Sequence, residues 1–130
     1  MMTLLLAALL WQEATPGTHL DGLCTFYSKG TMEQVAANRG IPLDGAVDYV
    51  AMNRAGDLHR IVWLEYEGRI FGPYRVVDCA QRGRDYQMRE KMGRIVEVSW
   101  EQAQAWEMRG PVNVRVWLSV PFLDELPGAM

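Results

Sequence analysis

The sequence predicts a mainly β protein with two short helices, and its strands fit a barrel better than an open sheet. Several short runs alternate apolar with polar side chains, and Gly, Pro, Asn or Asp separate these runs. The third observation is chain length, because so many short strands in an open sheet of a 130-residue protein would leave exposed edges. Closing the sheet into a barrel removes those edges.

The bulk composition is that of one ordinary globular domain. The chain is 49% hydrophobic and 22% charged, which suits a single hydrophobic core. Its 13 basic and 16 acidic residues give a net charge of −3, and no block of Lys or Arg is present. We therefore expect no nucleic-acid partner. Neither of the two histidines has the short spacing to other soft ligands that zinc sites use, so we expect no metal and no cofactor.

The N-terminal segment favours export. Residues 3–11 contain five leucines and no charge. The run is shorter than the roughly 20 residues that span a bilayer, so we expect no stable membrane span, but it suits the apolar part of a secretory signal. The alternative is an N-terminal helix that packs by its leucines. We expect residues 1–21 to be a signal or anchor segment with a lead, and the protein to be periplasmic, cell-surface or extracellular.

The first part of the domain is predicted as strand, helix, strand. Residues 22–27 form the first strand, which ends at a Ser-Lys-Gly turn. Apolar side chains at helical spacing predict a helix over 31–39, with Thr31 as its cap and Gly40 placed to end it. A second strand is expected over 47–52.

The strongest local signal is a β-hairpin over 60–67 and 69–79. Apolar and polar side chains alternate on the first strand, and Gly68 marks the turn. Gly72-Pro73 interrupts the second strand, which indicates either a bulge or an edge position.

The rest of the domain repeats the pattern of strand, helix and strand. Residues 82–91 are polar and predict a loop with a helical turn, and 94–98 predict a strand. Ser99 lies three residues ahead of a glutamine, which is capping-box spacing for a helix running to residue 108. A final strand covers 112–120. The sequence thus predicts one domain over 22–119 and a C-terminal tail over 120–130.

Two cysteines bear on the predicted export. Cys24 and Cys79 each lie in a strand-like apolar stretch, and an even count in an exported chain favours one disulfide between them. Such a long closed loop would stabilise the fold by about 4 kcal/mol on the chain-entropy model. The alternative is two separate buried thiols.

Ordered motifs along the domain resemble one superfamily. The run Gly-Leu-Cys-Thr-Phe-Tyr at 22–27 resembles the Gly-x-Ala-Ser-Trp-Tyr opening strand of the rare lipoprotein A family. Val-Val-Asp at 76–78 resembles that family's apolar-apolar-Asn-Asp strand, and the Val-Val-Asp strand that precedes a Cys in expansins and barwin-like proteins. Arg-Ile-Val-Glu-Val-Ser at 94–99 resembles the family's Arg-Ile-Ile-Asp-Leu-Ser, and the strand at 111–116 fits its close.

This resemblance implies a six-stranded double-psi β-barrel with a groove for a polysaccharide or peptidoglycan strand. In the lytic members, an aspartate at the position of Asp78 is the general acid/base, and Glu97 takes the place of the family's second aspartate. Apolar neighbours of Asp78 would destabilise its charged form, as proton donation requires. Strand alternation predicts that Asp78 projects opposite to Val77 and Cys79. We expect Tyr27, Trp63 and Tyr74 to line the groove beside the two carboxylates.

Departures from the family pattern shift the expected activity from cleavage towards binding. The family's Asp-Arg-Gly-Pro is Asp-Cys-Ala-Gln at 78–81, and its Ala-Ala-His is Ala-Met-Asn at 51–53, without the histidine. We expect expansin-like, non-hydrolytic binding of a cell-wall glycan or other polysaccharide. A lytic-transglycosylase-like enzyme using Asp78 is the alternative, so enzymatic activity stays open, and a barrel with a purely structural role is the third reading.

Overall fold

The computed structural model describes residues 18–43, 45, 47–79 and 92–120. The predicted apolar run at 3–11, the predicted loop at 82–91 and nearly all of the predicted tail lie outside the described residues.

Six strands form a closed barrel, which confirms the mainly β class with two short helices. Around the barrel the strand order is β1, β5, β2, β4, β3, β6, and β6 pairs again with β1. The pairs β1·β5 and β2·β4 are parallel, and the other four pairs are antiparallel. The strands are β1 His19–Phe26, β2 Asp48–Met52, β3 Ile61–Tyr66, β4 Arg69–Cys79, β5 Arg94–Val98 and β6 Val112–Trp117.

The pairing pattern relates the two halves of the chain. Exchanging β1 with β4, β2 with β5 and β3 with β6 leaves the set of strand pairs unchanged. The parallel pair β1·β5 becomes the parallel pair β4·β2, and the antiparallel pair β1·β6 becomes the antiparallel pair β4·β3. The pairs β2·β5 and β3·β6 map onto themselves. Strands β1–β3 and β4–β6 therefore occupy equivalent places in the barrel.

Alternating side chains fill the barrel interior. Val50, Leu64, Val76 and Val116 are fully buried there, one from each of four strands. Cross-strand packing of such branched side chains is the main stabilising contact of a sheet. Because the interior is occupied by side chains, any ligand site of this protein lies on the outside of the barrel or at its ends.

The first helix, α1 (Thr31–Asn38), packs on the outside of the barrel. Its Met32 and Ala36 are buried against Ala51 of β2 and Val77 of β4 in a second, smaller apolar cluster. The predicted cap is wrong: Gly30 is the N-cap residue, and no side chain caps the helix.

The C-terminus of α1 has the predicted glycine stop. Gly40 adopts φ 68°, and the Ile41 N–H donates to the Ala36 carbonyl at 2.9 Å. This is the Schellman arrangement, in which a left-handed glycine lets the chain turn back and satisfy a free helix carbonyl. It fixes Arg39, the C-cap residue, at the end of α1.

The second helix, α2 (Trp100–Ala105), has its predicted cap but ends earlier than residue 108. The Ser99 hydroxyl accepts from the Gln102 N–H at 3.1 Å. Glu107 takes a left-handed conformation with φ 56°, and the Met108 N–H reaches back to the Ala103 carbonyl at 2.9 Å. The helix therefore stops without a glycine, so no residue before Gly110 signals its end in the sequence.

The β3–β4 hairpin has the predicted turn at Gly68 and an irregularity at Gly72–Pro73. Glu67 and Gly68 both have positive φ angles, 52° and 76°, as a type I′ turn requires. The pairing register shifts at Trp63, which faces the Gly72–Pro73 irregularity of β4. A Cβ on Gly72 would lie 2.8 Å from the Trp63 ring. The alternative of an edge position also holds locally, because residues 69–71 of β4 pair with β3, whereas the described pairing with β2 begins at Tyr74.

The barrel starts earlier than predicted. β1 begins at His19 rather than residue 22, because residues 19–21 pair with the end of β6. The Leu118 N–H extends this pairing to the Thr18 carbonyl at 3.0 Å. Part of the predicted lead is therefore barrel.

The predicted disulfide between Cys24 and Cys79 is not formed. Both cysteines are free and buried. Cys24 lies in the barrel interior on β1, and strands β5 and β2 separate it from β4, which ends at Cys79. A disulfide needs Cα atoms within about 7 Å of each other. Burial raises the pKa of the Cys24 thiol to about 12.

Alkylation tests the state of the two thiols. In denaturant without reductant, iodoacetamide should add two groups to the intact mass, because both sulfurs are thiols. In the native protein Cys24 should react far more slowly, since burial keeps its thiol protonated and out of contact with the reagent. A prior reduction step should leave the denatured mass unchanged. If alkylation in denaturant required reductant, the free-thiol assignment would be wrong.

A glycine substitution tests the close approach of β1 to β5. A Cβ on Gly22 would lie 2.7 Å from Ile95 Cγ2 and 2.8 Å from the Gly93 carbonyl oxygen. Gly22→Ala should therefore lower the free energy of unfolding by about 1–3 kcal/mol, measured by urea titration. The matched control is Gly110→Ala, where a Cβ meets nothing within 4 Å and the change should stay within about 0.5 kcal/mol. Equal effects of the two substitutions would contradict this packing.

Candidate functional site

One row of side chains crosses four strands on the outside of the barrel. Thr25 of β1 pairs with Glu97 of β5, Glu97 pairs with Ala51 of β2, and Ala51 pairs with Asp78 of β4. Paired residues point to the same face of a sheet. We call these four residues the carboxylate row. It brings two carboxylates, Glu97 and Asp78, to either side of one small alanine.

A bulge in β4 decides which way Asp78 points. Val50 pairs with Val76 and Ala51 pairs with Asp78, so Val77 is an extra residue in β4. Val77 packs in the cluster beneath α1, and Asp78 bonds to partners on that same outer side. The predicted alternation of Val77 and Asp78 is therefore wrong, because a bulge turns two successive side chains to one face.

Asp78 joins three parts of the molecule. The Tyr27 hydroxyl, just after β1, donates to Asp78 Oδ2 at 2.5 Å. Arg39, at the end of α1, donates to Asp78 Oδ1 from Nε at 2.9 Å and from Nη2 at 2.7 Å. The Asp78 side chain is 14% exposed and that of Arg39 is 25% exposed. The hydrogen bond to Asp78 raises the pKa of Arg39.

These partners differ from the apolar environment predicted for Asp78. A guanidinium and a phenol hydroxyl both donate to the carboxylate, and charge-assisted hydrogen bonds of this kind are stronger than those between neutral groups. The Arg39 Nη2 atom also lies 3.8 Å from Cys79 Sγ. The residues around Asp78 thus hold its side chain in place from two sides.

The second carboxylate of the row also has an arginine beside it. Glu97 is 8% exposed, and its Oε2 lies 3.5 Å from Arg94 Nη1. The same Arg94 Nη1 donates to Thr25 Oγ1 at 3.1 Å. Asn53, at the position of the histidine in the family pattern, donates to the Arg94 carbonyl at 2.6 Å. Its amide therefore holds the backbone of β5 at the end of the row.

Of the predicted site residues, Tyr27, Asp78 and Glu97 lie on one face, and Trp63 and Tyr74 do not join them. Tyr74 is fully buried in the barrel interior, where its hydroxyl donates to Gln102 Oε1 at 2.6 Å and burial raises its pKa. Trp63 lies on β3, which pairs with β4 and β6 on the other side of the barrel. The predicted aromatic lining of one groove is therefore wrong for these two residues.

Sequence reasoning missed the two arginines of the site. Arg39 was identified only as the end of a helix, yet a basic residue just before a helix-stopping glycine is well placed to reach a neighbouring strand. Arg94 and Glu97 are three residues apart on β5, a spacing that does not put them on one face of a regular strand. A register irregularity between β1 and β5 lies between them, and the sequence carries no signal for it.

A separate buried carboxylate lies after β2. Asp57 is 3% exposed, and its two oxygens lie 3.2 Å from Arg54 Nε and 3.3 Å from Arg60 Nε. These three residues and Gly56 line a cavity of about 260 Å³. Because both arginines contact the same carboxylate, the arrangement is a structural ion-pair cluster.

The described part of the chain has neither a group of metal ligands nor a helix that could span a membrane. Within residues 18–43, 45, 47–79 and 92–120, no three His, Cys, Asp or Glu side chains come together in a group that would hold a metal ion. No helix in this described part of the chain has the length and apolar character to cross a membrane.

The similarity of this chain to known proteins is low. The sequence matches no family model and no curated protein. Among solved structures, the chain is similar to Streptomyces papain inhibitor, with 22% sequence identity and a TM-score of 0.47. The match covers 79% of this chain and 96% of that chain.

A double-mutant cycle tests the Asp78–Arg39 ion pair. Asp78→Asn, Arg39→Gln and the double variant should give a coupling energy of about 1–2 kcal/mol in urea unfolding, because the pair is largely buried and doubly hydrogen-bonded. The control cycle is Asp21–Arg115, an exposed pair at 2.8 Å, where coupling should stay below about 1 kcal/mol. Equal coupling in both cycles would contradict a structural role for the Asp78 junction.

Proposed function

We propose that this chain is an exported double-psi β-barrel protein that binds a cell-wall glycan or other polysaccharide without cleaving it. The ordered sequence motifs support the double-psi assignment, and the closed six-stranded barrel with two parallel pairs is compatible with it. Export rests on the apolar run at 3–11. The binding surface is formed by the exposed parts of Asp78, Arg39 and Arg94 along the carboxylate row.

The observation that carries this proposal is the bonding of Asp78. A general acid must hold a proton at the moment it meets the leaving oxygen. Asp78 instead accepts from Arg39 at one oxygen and from Tyr27 at the other, so both of its oxygens are already engaged by side chains of the protein itself. The histidine expected from the family pattern is Asn53, whose amide bonds to a backbone carbonyl. These features support a binding role for the row over catalysis.

The row suits a glycan because it offers both donors and acceptors of hydrogen bonds. Two carboxylates, two guanidinium groups and the Thr25 hydroxyl lie along one face. Sugar hydroxyls donate and accept hydrogen bonds, so such a mixed surface matches them better than a patch of one sign would. Arg39, Asp78 and Arg94 each keep part of their side chain exposed, at 25%, 14% and 15%.

One observation favours a lytic-transglycosylase-like enzyme as the second candidate. Glu97 and Asp78 flank Ala51, so their Cα atoms lie two strand spacings apart, roughly 10 Å. Acid/base cleavage of a glycosidic bond commonly uses two carboxyl groups, and this face supplies two. On this alternative Asp78 is the general acid/base.

A sacculus assay separates the candidates. The full-length protein should pellet with purified sacculi and release no soluble muropeptides, and Asp78→Asn should pellet at least threefold less. The matched control is Asp48→Asn, the same chemical change at an exposed position of β2 outside the row, which should pellet like the wild type. Unfolding curves establish that each variant is folded at the assay temperature.

The other outcomes each have a definite meaning. Muropeptide release that disappears in Asp78→Asn would favour the enzyme and overturn the non-hydrolytic proposal. A folded protein that neither pellets with sacculi or insoluble polysaccharide nor releases fragments would leave the barrel with a structural role alone.

A further inference from the structure

Three ring-bearing side chains lie in one row on the half of the barrel that faces away from α1. His19 of β1 pairs with Trp117 of β6, and Trp117 pairs with Trp63 of β3. Val116 and Leu64, the strand neighbours of the two tryptophans, are buried in the barrel interior, so the rings point outwards. We call His19, Trp117 and Trp63 the aromatic strip. The His19 and Trp117 ring centroids are 4.9 Å apart.

A polar row lies beside the aromatic strip, two residues along the same strands. Asp21 pairs with Arg115, and Arg115 pairs with Glu65. Arg115 Nε donates to Asp21 Oδ1 at 2.8 Å, and Trp117 Nε1 donates to Glu65 Oε1 at 3.0 Å. The Arg115 guanidinium also lies 5.7 Å from the centroid of the Trp117 ring. These contacts hold the two rows in a fixed relation.

A cavity opens along the polar row. Its volume is about 300 Å³, and its lining includes Asp21, Glu65, Glu67, Asn113 and Arg115. Three carboxylates against one guanidinium make it negative, which disfavours an anionic ligand. Carboxylate and amide oxygens accept hydrogen bonds, and the guanidinium and amide nitrogens donate them. The cavity thus matches an uncharged ligand with many hydroxyl groups.

We propose that the aromatic strip and the polar row form a binding site for an uncharged pyranoside chain. One face of a pyranose ring carries axial C–H groups and is apolar, and hydroxyls surround its edge. An indole ring matches the face, and the polar row matches the edge. The strip crosses two strand spacings, roughly 10 Å, which is room for two sugar rings.

The fixed side chains favour binding, because less conformational freedom is lost when the ligand arrives. The site shares its ligand class with the proposed function, but its residues lie on β1, β6 and β3. The carboxylate row starts at Thr25 of β1, extends the other way across β5, β2 and β4, and shares no residue with this site. The two proposals therefore fail independently.

An NMR titration tests the site. The folded, isotope-labelled protein is titrated with cellohexaose and, separately, with the N-acetylglucosamine hexamer. Of the five tryptophan indole N–H signals, those of Trp63 and Trp117 should shift with saccharide concentration. The control signal is that of Trp100, which packs against Lys29 at the start of α2 and should stay in place. No shift with either saccharide, or an equal shift at Trp100, would overturn the inference. If the NMR signal of the Arg39 Nε–H shifted and that of Trp117 did not, the aromatic strip would be excluded as a saccharide site. The proposed function, which rests on the carboxylate row, would be unaffected.

Substitution gives a second, quantitative readout. Trp117→Ala should weaken binding of the preferred hexasaccharide at least tenfold in calorimetry, and the control Trp100→Ala should leave it unchanged. Polygalacturonate should bind at least tenfold more weakly than the neutral hexasaccharides, because the polar row is negative. Equal binding of the anionic polymer would contradict the proposed ligand class. If the indole N–H signals shifted with protein concentration in the absence of saccharide, the strip would be a contact between two copies of the chain, and the inference would be overturned.

If Trp117→Ala does not fold, the wild-type titration decides the question.

Discussion

The extra residue in β4 determines where Asp78 and its hydrogen-bond partners lie. Because Val77 is bulged, Val77 and Asp78 both turn to the outer face, one into the apolar cluster under α1 and the other onto Arg39 and Tyr27. A regular strand would have sent one of them into the barrel interior. An interior carboxylate without partners would cost several kcal/mol, so the bulge and the position of Arg39 at the end of α1 depend on each other.

Barrel closure then divides the outer surface into two halves with different chemistry. The half formed by β5, β2 and β4 is covered by α1 and carries carboxylates matched with arginines. The half formed by β1, β6 and β3 has an aromatic strip beside a negative cavity. The interior is filled with side chains such as Tyr74 and Cys24, so it offers no room for a ligand. Function is therefore a property of the outer surface.

Strand pairing, rather than a covalent link, holds the two ends of the domain together. β1 pairs with β5 on one side and with β6 on the other, so the first strand contacts both late strands of the chain. The free state of Cys24 and Cys79 is compatible with this closure. Close approaches such as that of Gly22 to Ile95 show how tightly β1 is seated between its neighbours.

Local patterns in the sequence were sufficient to predict the barrel class, the 94–98 strand, the hairpin turn at Gly68 and the Ser99 cap, because each depends on residues close together in the chain. They were also sufficient to select Asp78, Glu97 and Tyr27 as candidates that share a face. The direction of Asp78, its bond to Arg39, the burial of Tyr74 and the separation of the cysteines were decided only by the tertiary structure. Each of these depends on strand order and register, which bring distant residues together and leave no local trace in the sequence.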